Sequence, residues 1–216
     1  MNRNLNSEKR LCFLCGLSGV TGVMPLIMSF AINTSPPAGA TTSELVRWGQ
    51  ENYVNGLWAA WLRAVGPVLI VLFALSLVHL SGAAQRLAGW MTFLGATVLT
   101  SVSLIEITFY FSAWSADPAI IPSIRLKFIS AAEILAAPAL FLPLGIILVS
   151  SRILPRVFGY MALVLAGALA LLGVDFIFRL TLPASVTPFV GVQALWWLAA
   201  SIALIVRSGA TAASQA

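Results

Sequence analysis

Apolar residues run through this chain in six long stretches, at 11–32, 58–80, 87–112, 126–150, 156–179 and 188–206, with short polar segments between them. An α-helix needs about 20 mostly apolar residues to cross roughly 30 Å of hydrocarbon, and each stretch approaches or exceeds that length. Strands of a membrane barrel would leave short alternating segments, which are absent, so the pattern predicts helices. The expected fold is all-α: a polytopic transmembrane bundle of six helices forming a single domain over 1–216.

The polar segments between the runs set the connectivity. Links at 81–86, 113–125, 151–155 and 180–187 are short, which makes consecutive helices antiparallel neighbours. The longest, 33–57, follows the first run, where Pro36 and Pro37 stop the helix because proline lacks an amide donor and restricts the residue before it. Thr42 or Ser43 then offers an N-cap with Glu44 in the first turn, predicting a short interfacial helix that reaches Tyr53 and ends at Asn55-Gly56. Trp48, Trp58 and Trp61 suit headgroup level, where amphipathic rings settle. Within the runs, Gly16, Gly19 and Gly22 recur every three residues, and Ala162, Ala166 and Ala170 every four. Such stripes let membrane helices approach closely. They serve either a homo-oligomer or the bundle itself, and the bundle already requires such contacts. Pro138 and Pro143 are expected to bend the fourth span.

Composition fits this picture. The 216 residues are 60% hydrophobic and 9% charged, against about 25% charged in soluble domains. The net charge of +5 follows topology more closely than any anionic partner. With the N-terminus in the cytoplasm, Arg3, Lys9, Arg10, Arg86, Arg152, Arg156 and Arg207 fall inside. Arg47, Arg63, Arg125, Lys127 and Arg179 fall outside, with every acid except Glu8. Cations close to helix ends in short inner loops are what the positive-inside bias selects, so both termini are expected in the cytoplasm. No basic stripe lies outside this pattern, which argues against nucleic acid as a partner. Ala38-Gly39-Ala40 resembles a signal-peptide cleavage site, but the first apolar run exceeds the usual 7–15 residues of a signal core, which favours a retained anchor.

The short motifs carry little chemistry. Cys12-x-x-Cys15 has no second Cys or His pair to complete a zinc site and reads as two small apolar residues in a helix. Gly16-Leu17-Ser18-Gly19 resembles the serine motif of rhomboid proteases, with His79 the sole histidine. In that family the serine and histidine belong to the fourth and sixth spans, whereas here they fall in the first and second. No spacing assures the hydrogen bond that a nucleophile needs from its base. No cofactor fingerprint, phosphate loop or metal-ligand set is found, so neither cofactor nor metal is expected.

The strongest signal is a set of ionisable residues inside the runs. A charge in hydrocarbon costs at least ~2.5–3.5 kcal/mol, so such residues face a partner, a cavity or a substrate. At 1.5 Å per residue, Arg63, Glu133 and Asp175 lie about 8–9 Å below the outer surface and Glu106 about 12 Å. Gln193 follows Pro188 by the same interval that separates Asp175 from Leu180. These residues and Arg179 define a candidate binding layer drawn from spans two to six. Asp175 and Arg179 are spaced i, i+4 and can meet on one face. Arg63 can serve Glu106 or Glu133. Ser103 and Tyr110 flank Glu106 at helical spacing, and Trp196 and Trp197 either wall the cavity or pack.

Ser151-Arg152-Ile153-Leu154-Pro155-Arg156, with Gly159 after it, resembles an inner-loop pattern in a large family of uncharacterised bacterial six-helix membrane proteins. The layout is similar too: a basic N-terminus, an outer loop after the first span, and an acid in the third, here Glu106. That family often carries an arginine shortly before the acid, where this chain has Ser101, Val102 and Ser103. The resemblance implies a bacterial inner-membrane protein and no activity.

Three functions compete. One is an outward-facing intramembrane site that binds or transports a small molecule, an ion or a proton. The second is a structural or regulatory protein whose buried charges only fix helix packing. The third, an intramembrane enzyme acting on a lipid or quinone, lacks a nucleophile pair and trails the others. Expected partners are the lipid bilayer and a small-molecule, ionic or lipid-like ligand.

Overall fold

The described parts of the long apolar runs fold as helices. The computed structural model describes residues 2–32, 40–116, 135–179 and 183–213, with side chains described at 9–32, 40–108, 111, 135–174 and 188–209. Seven helices and no strands occur among the described residues: α1 (Asn2–Ile32), α2 (Thr42–Glu51), α3 (Tyr53–Leu80), α4 (Leu87–Ala116), α5 (Ala137–Ser150), α6 (Arg156–Arg179) and α7 (Pro183–Ala213). Five of them, α1, α3, α4, α6 and α7, contain stretches long and apolar enough to cross a membrane. The predicted fourth span is represented by α5 alone, 14 apolar residues. Residues 126–134 of that span lie outside the described residues.

Two local expectations are corrected. The N-cap of α2 is Thr41, one residue earlier than expected, and it closes a reciprocal capping box with Glu44. The Thr41 amide donates to Glu44 Oε2 at 2.7 Å while the Glu44 amide donates to Thr41 Oγ1 at 3.4 Å. Asn55-Gly56 does not end this helix. The break comes at Asn52, and α3 begins at Tyr53, so Asn55 and Gly56 belong to its first turn. The next span therefore starts five residues before 58, because nothing in Tyr53–Leu57 stops a helix.

Proline has two outcomes in α5. Pro138 sits in the first turn of α5, close after a wider π-type turn at 135–136. Pro143 is buried inside the helix.

The helices close into a ring in the order α1, α3, α4, α5, α6, α7 and back to α1, with the α6–α7 contact the slightest of the six. Small residues set the closest approaches. A Cβ on Gly22 of α1 would stand 2.8 Å from the Ile70 amide nitrogen and 3.1 Å from the Gly66 carbonyl oxygen of α3. On Gly16 it would meet Ser201 and Ile205 of α7, and on Gly19 the side chains of Ser201 and Phe73. The glycine stripe is therefore used inside the bundle, Gly16 against α7, Gly22 against α3 and Gly19 against both. Gly145 and Gly159 make a similar crossing between α5 and α6. Of the alanine stripe, Ala162 and Ala166 are buried and Ala170 is exposed. In a bilayer, such backbone approach supplies the van der Waals contact that replaces a hydrophobic drive between helices.

These pairings are antiparallel. They put the start of α1, the 81–86 turn, the 151–155 turn and the end of α7 at one end, the basic end. An aromatic cluster fills the centre. Phe141 lies 5.0 Å from Trp196 and 4.9 Å from Trp197 by ring centroid, and Phe73 is 6.1 Å from Trp197. Trp196 Nε1 donates to the Phe158 carbonyl at 3.0 Å, satisfying the one polar atom of that ring.

Candidate functional site

Above this aromatic floor, towards the end opposite the basic one, the ring encloses the polar residues. Arg63 on α3 and Glu106 on α4 form an ion pair, Nη2 to Oε1 3.2 Å, with only 5% and 11% of their side chains exposed. Arg63 follows Trp58 and Trp61 on α3, whose rings stand edge to face at 5.9 Å and are about half exposed. One turn before Glu106, Ser103 is buried and donates its hydroxyl to the Leu99 carbonyl at 3.0 Å. With its proton committed to its own helix, the Ser103 oxygen offers only lone pairs to the interior. Gln193 on α7 is also buried.

These four residues line one cavity of about 90 Å³, together with apolar groups that include Phe30, Leu99, Phe141 and Trp197. A single water needs roughly 10–15 Å³ by this kind of measure, so the space holds several waters or a molecule of a few heavy atoms. The chemistry offered is a guanidinium, a carboxylate, an amide that both donates and accepts, and a hydroxyl acceptor, against an aromatic and aliphatic wall. Such a site can hold the polar end of a small amphipathic molecule while its apolar part lies on Leu99 and Trp197. Among the described residues, the one hydroxyl in the lining, that of Ser103, donates to the Leu99 carbonyl and not to a base. No group of three His, Cys, Asp or Glu stands together among the described residues.

The structure thus brings together Arg63, Glu106 and Gln193 of the six expected site residues. Glu133 lies outside the described residues. Asp175 and Arg179 both fall within α6, at the spacing that puts them on one face, but their side chains lie outside those described, as does that of Tyr110. The two tryptophans divide the roles foreseen for them: Trp197 walls the cavity, and Trp196 packs beneath it. Sequence reasoning missed the contribution of α1, which lends Leu26 and Phe30 to the lining. An apolar residue in an apolar run carries no signal that could have found them. Cys15 is buried in the core and Cys12 packs against it, in keeping with two small residues on a helix face. Ser18 donates to the Cys15 carbonyl of its own helix at 2.7 Å, and His79, an exposed residue near the end of α3, is not its partner there.

Comparison with protein-family models, with curated proteins and with solved structures finds no match.

Proposed function

We propose that this chain is a six-span protein of the bacterial inner membrane, with both termini in the cytoplasm, whose Arg63–Glu106 pocket binds a small polar or amphipathic molecule on the outer side of the bilayer. The observation that carries the reading is the cavity itself. A pair that only fixed helix register would be packed dry, whereas Arg63, Ser103, Glu106 and Gln193 converge from three helices on open space. The orientation rests on Lys9, Arg10, Arg86, Arg152, Arg156 and Arg207 gathering at one end, and the bacterial membrane on the resemblance carried by 151–156. A binding pocket accounts for this arrangement better than an alternating-access carrier, because only Pro138 and Pro143 hint at the discontinuous helices such carriers use, and the charges lie shallower than the midplane.

The second reading, a structural ion pair, draws on the direct contact between Arg63 and Glu106. Native mass spectrometry of protein released from membranes in mild detergent separates the two. The binding reading expects a small-molecule mass on the wild type that is lost when Ser103→Phe fills the cavity, at unchanged thermal stability. A wild type that carries no such mass, together with a more stable Ser103→Phe protein, would leave only the structural role.

A further inference from the structure

Far from this pocket, at the basic end, a second concavity opens between the 151–155 turn with the start of α6 on one side and the last turns of α7 on the other. It is an open groove of about 940 Å³. Three arginines line it, Arg152 in the turn, Arg156 at the first position of α6 and Arg207 on α7, all exposed. No acidic residue is among its lining within the described residues. The Arg207 guanidinium reaches across and donates from Nη1 to the carbonyls of Arg152 and Ile153, which fixes the turn against α7 and holds that charge at the groove.

The rest of the lining is apolar. Ala199, Ile202, Ala203 and Val206 present one face of α7, with Ile202 and Val206 about half exposed or more. This face lies beside the start of α6, whose contact with α7 is the slightest in the ring. Three cations at a helix-end level, above an apolar furrow running towards the hydrocarbon, match a molecule with an anionic head and a long apolar tail. A free phosphate would use the arginines and leave Ile202 and Val206 without a role. Basic pockets between membrane helices near the interface are suited to anionic headgroups, because each cation there adds to the attraction of a negative lipid surface. Arginine suits the task, since its planar fork pairs two donors with phosphate oxygens.

We infer that this groove is a binding site for an anionic phospholipid, with the phosphate held by Arg152, Arg156 and Arg207 and an acyl chain lying along Ile202 and Val206. The inference requires the bundle to stand in a bilayer and is independent of the Arg63–Glu106 pocket. It gives the positively charged inner turn a ligand as well as a topological role.

The test uses purified full-length protein in detergent, with phosphatidylglycerol, phosphatidylcholine and inorganic phosphate as separate probes and bound lipid read by native mass spectrometry. Wild type is expected to retain phosphatidylglycerol over phosphatidylcholine, with inorganic phosphate a poor competitor. The double variant Arg152→Gln/Arg156→Gln should lose about tenfold in phosphatidylglycerol retention, with its phosphatidylcholine retention unchanged. Should that variant fold poorly, Val206→Glu places a negative charge beside the site on an exposed position and should cause the same selective loss. Equal retention of both lipids by wild type, undiminished phosphatidylglycerol on a folded variant, or displacement by inorganic phosphate alone would each overturn the assignment.

Discussion

Arg63 and Glu106 each bring a charge that would be expensive alone in the bundle, and at 3.2 Å each offsets the cost of the other. Removing one partner leaves a buried charge uncompensated, which costs about 3–5 kcal/mol, whereas replacing both with apolar groups of similar size is often close to neutral. Arg63→Met and Glu106→Leu should therefore each destabilise the protein more than the double variant does, as a double-mutant cycle in detergent would report. Additive losses would mean that each charge is solvated independently. A second residue-scale expectation concerns the α2 cap. The Glu44 carboxylate accepts from the Thr41 amide and hydroxyl, and these bonds hold its pKa below the usual 4.5. Because the folded value is the lower one, the contribution of the cap is complete above about pH 4.5 and is lost as pH falls through the folded value. Carbon-13 NMR of the Glu44 carboxyl should show that low titration, and Thr41→Ala should move it back up.

At the scale of elements, the closest helix contacts are decided by hydrogen atoms where side chains would stand. A methyl on Gly22 would press on the backbone of Ile70 and Gly66, which can yield only if α1 and α3 separate. Gly22→Ala should cost about 1–3 kcal/mol, the usual range for overpacking. Gly167, on α6, has nothing within 4 Å of the added carbon. Gly167→Ala should be neutral or raise stability by up to about 1 kcal/mol through helix propensity. Thermal unfolding of the two variants side by side checks the contrast, and equal effects would contradict the packing described. The helices themselves were legible in the sequence because long apolar runs have one solution in lipid. The span at Arg156–Arg179 has the bounds that Pro155 and the basic turn imply. What periodicity could not supply was the order of packing: a glycine stripe says that something comes close, but not that Gly16 meets α7 while Gly22 meets α3. The early start of α3 was missed for a related reason, since Asn55-Gly56 is a turn signal only where no helix is already running through it.

At the scale of the molecule, the ring of helices sorts its polar groups by depth and by end. The Arg63–Glu106 pocket lies towards one end, the aromatic floor of Phe73, Phe141 and Trp197 lies below it, and the arginine-lined groove marks the other. Two members of the ionisable layer were legible because each charge stood out in its run: Arg63 and Glu106 share a cavity with Gln193, while Glu133 and the side chains of Asp175 and Arg179 lie outside those described. Which of Glu106 and Glu133 would pair with Arg63 was not legible, because depth along a helix says nothing of rotation about its axis. The proposed orientation rests on the basic end. Cysteines introduced at Ala40 and Ala84 should be labelled by an impermeant maleimide from the outer and the cytoplasmic side, respectively. Labelling of position 84 from outside would invert the topology.

The central claim is that the polar centre is an outward-facing, wet pocket rather than a dry clamp, and thiol reactivity at Ser103 tests it most directly. Ser103 faces the cavity, while its neighbour Leu104 is exposed on the outside of the ring, where lipid would surround it. In a background of Cys12→Ser/Cys15→Ser, Ser103→Cys and Leu104→Cys would be exposed in oriented vesicles to a small impermeant methanethiosulfonate reagent, whose sulfur is attacked by the thiolate that water supports, giving a mixed disulfide as methanesulfinate leaves. The account predicts modification of Ser103→Cys from the outer side and none at Leu104→Cys. A folded Ser103→Cys protein that stays unmodified, or reacts only from the basic end, would contradict it.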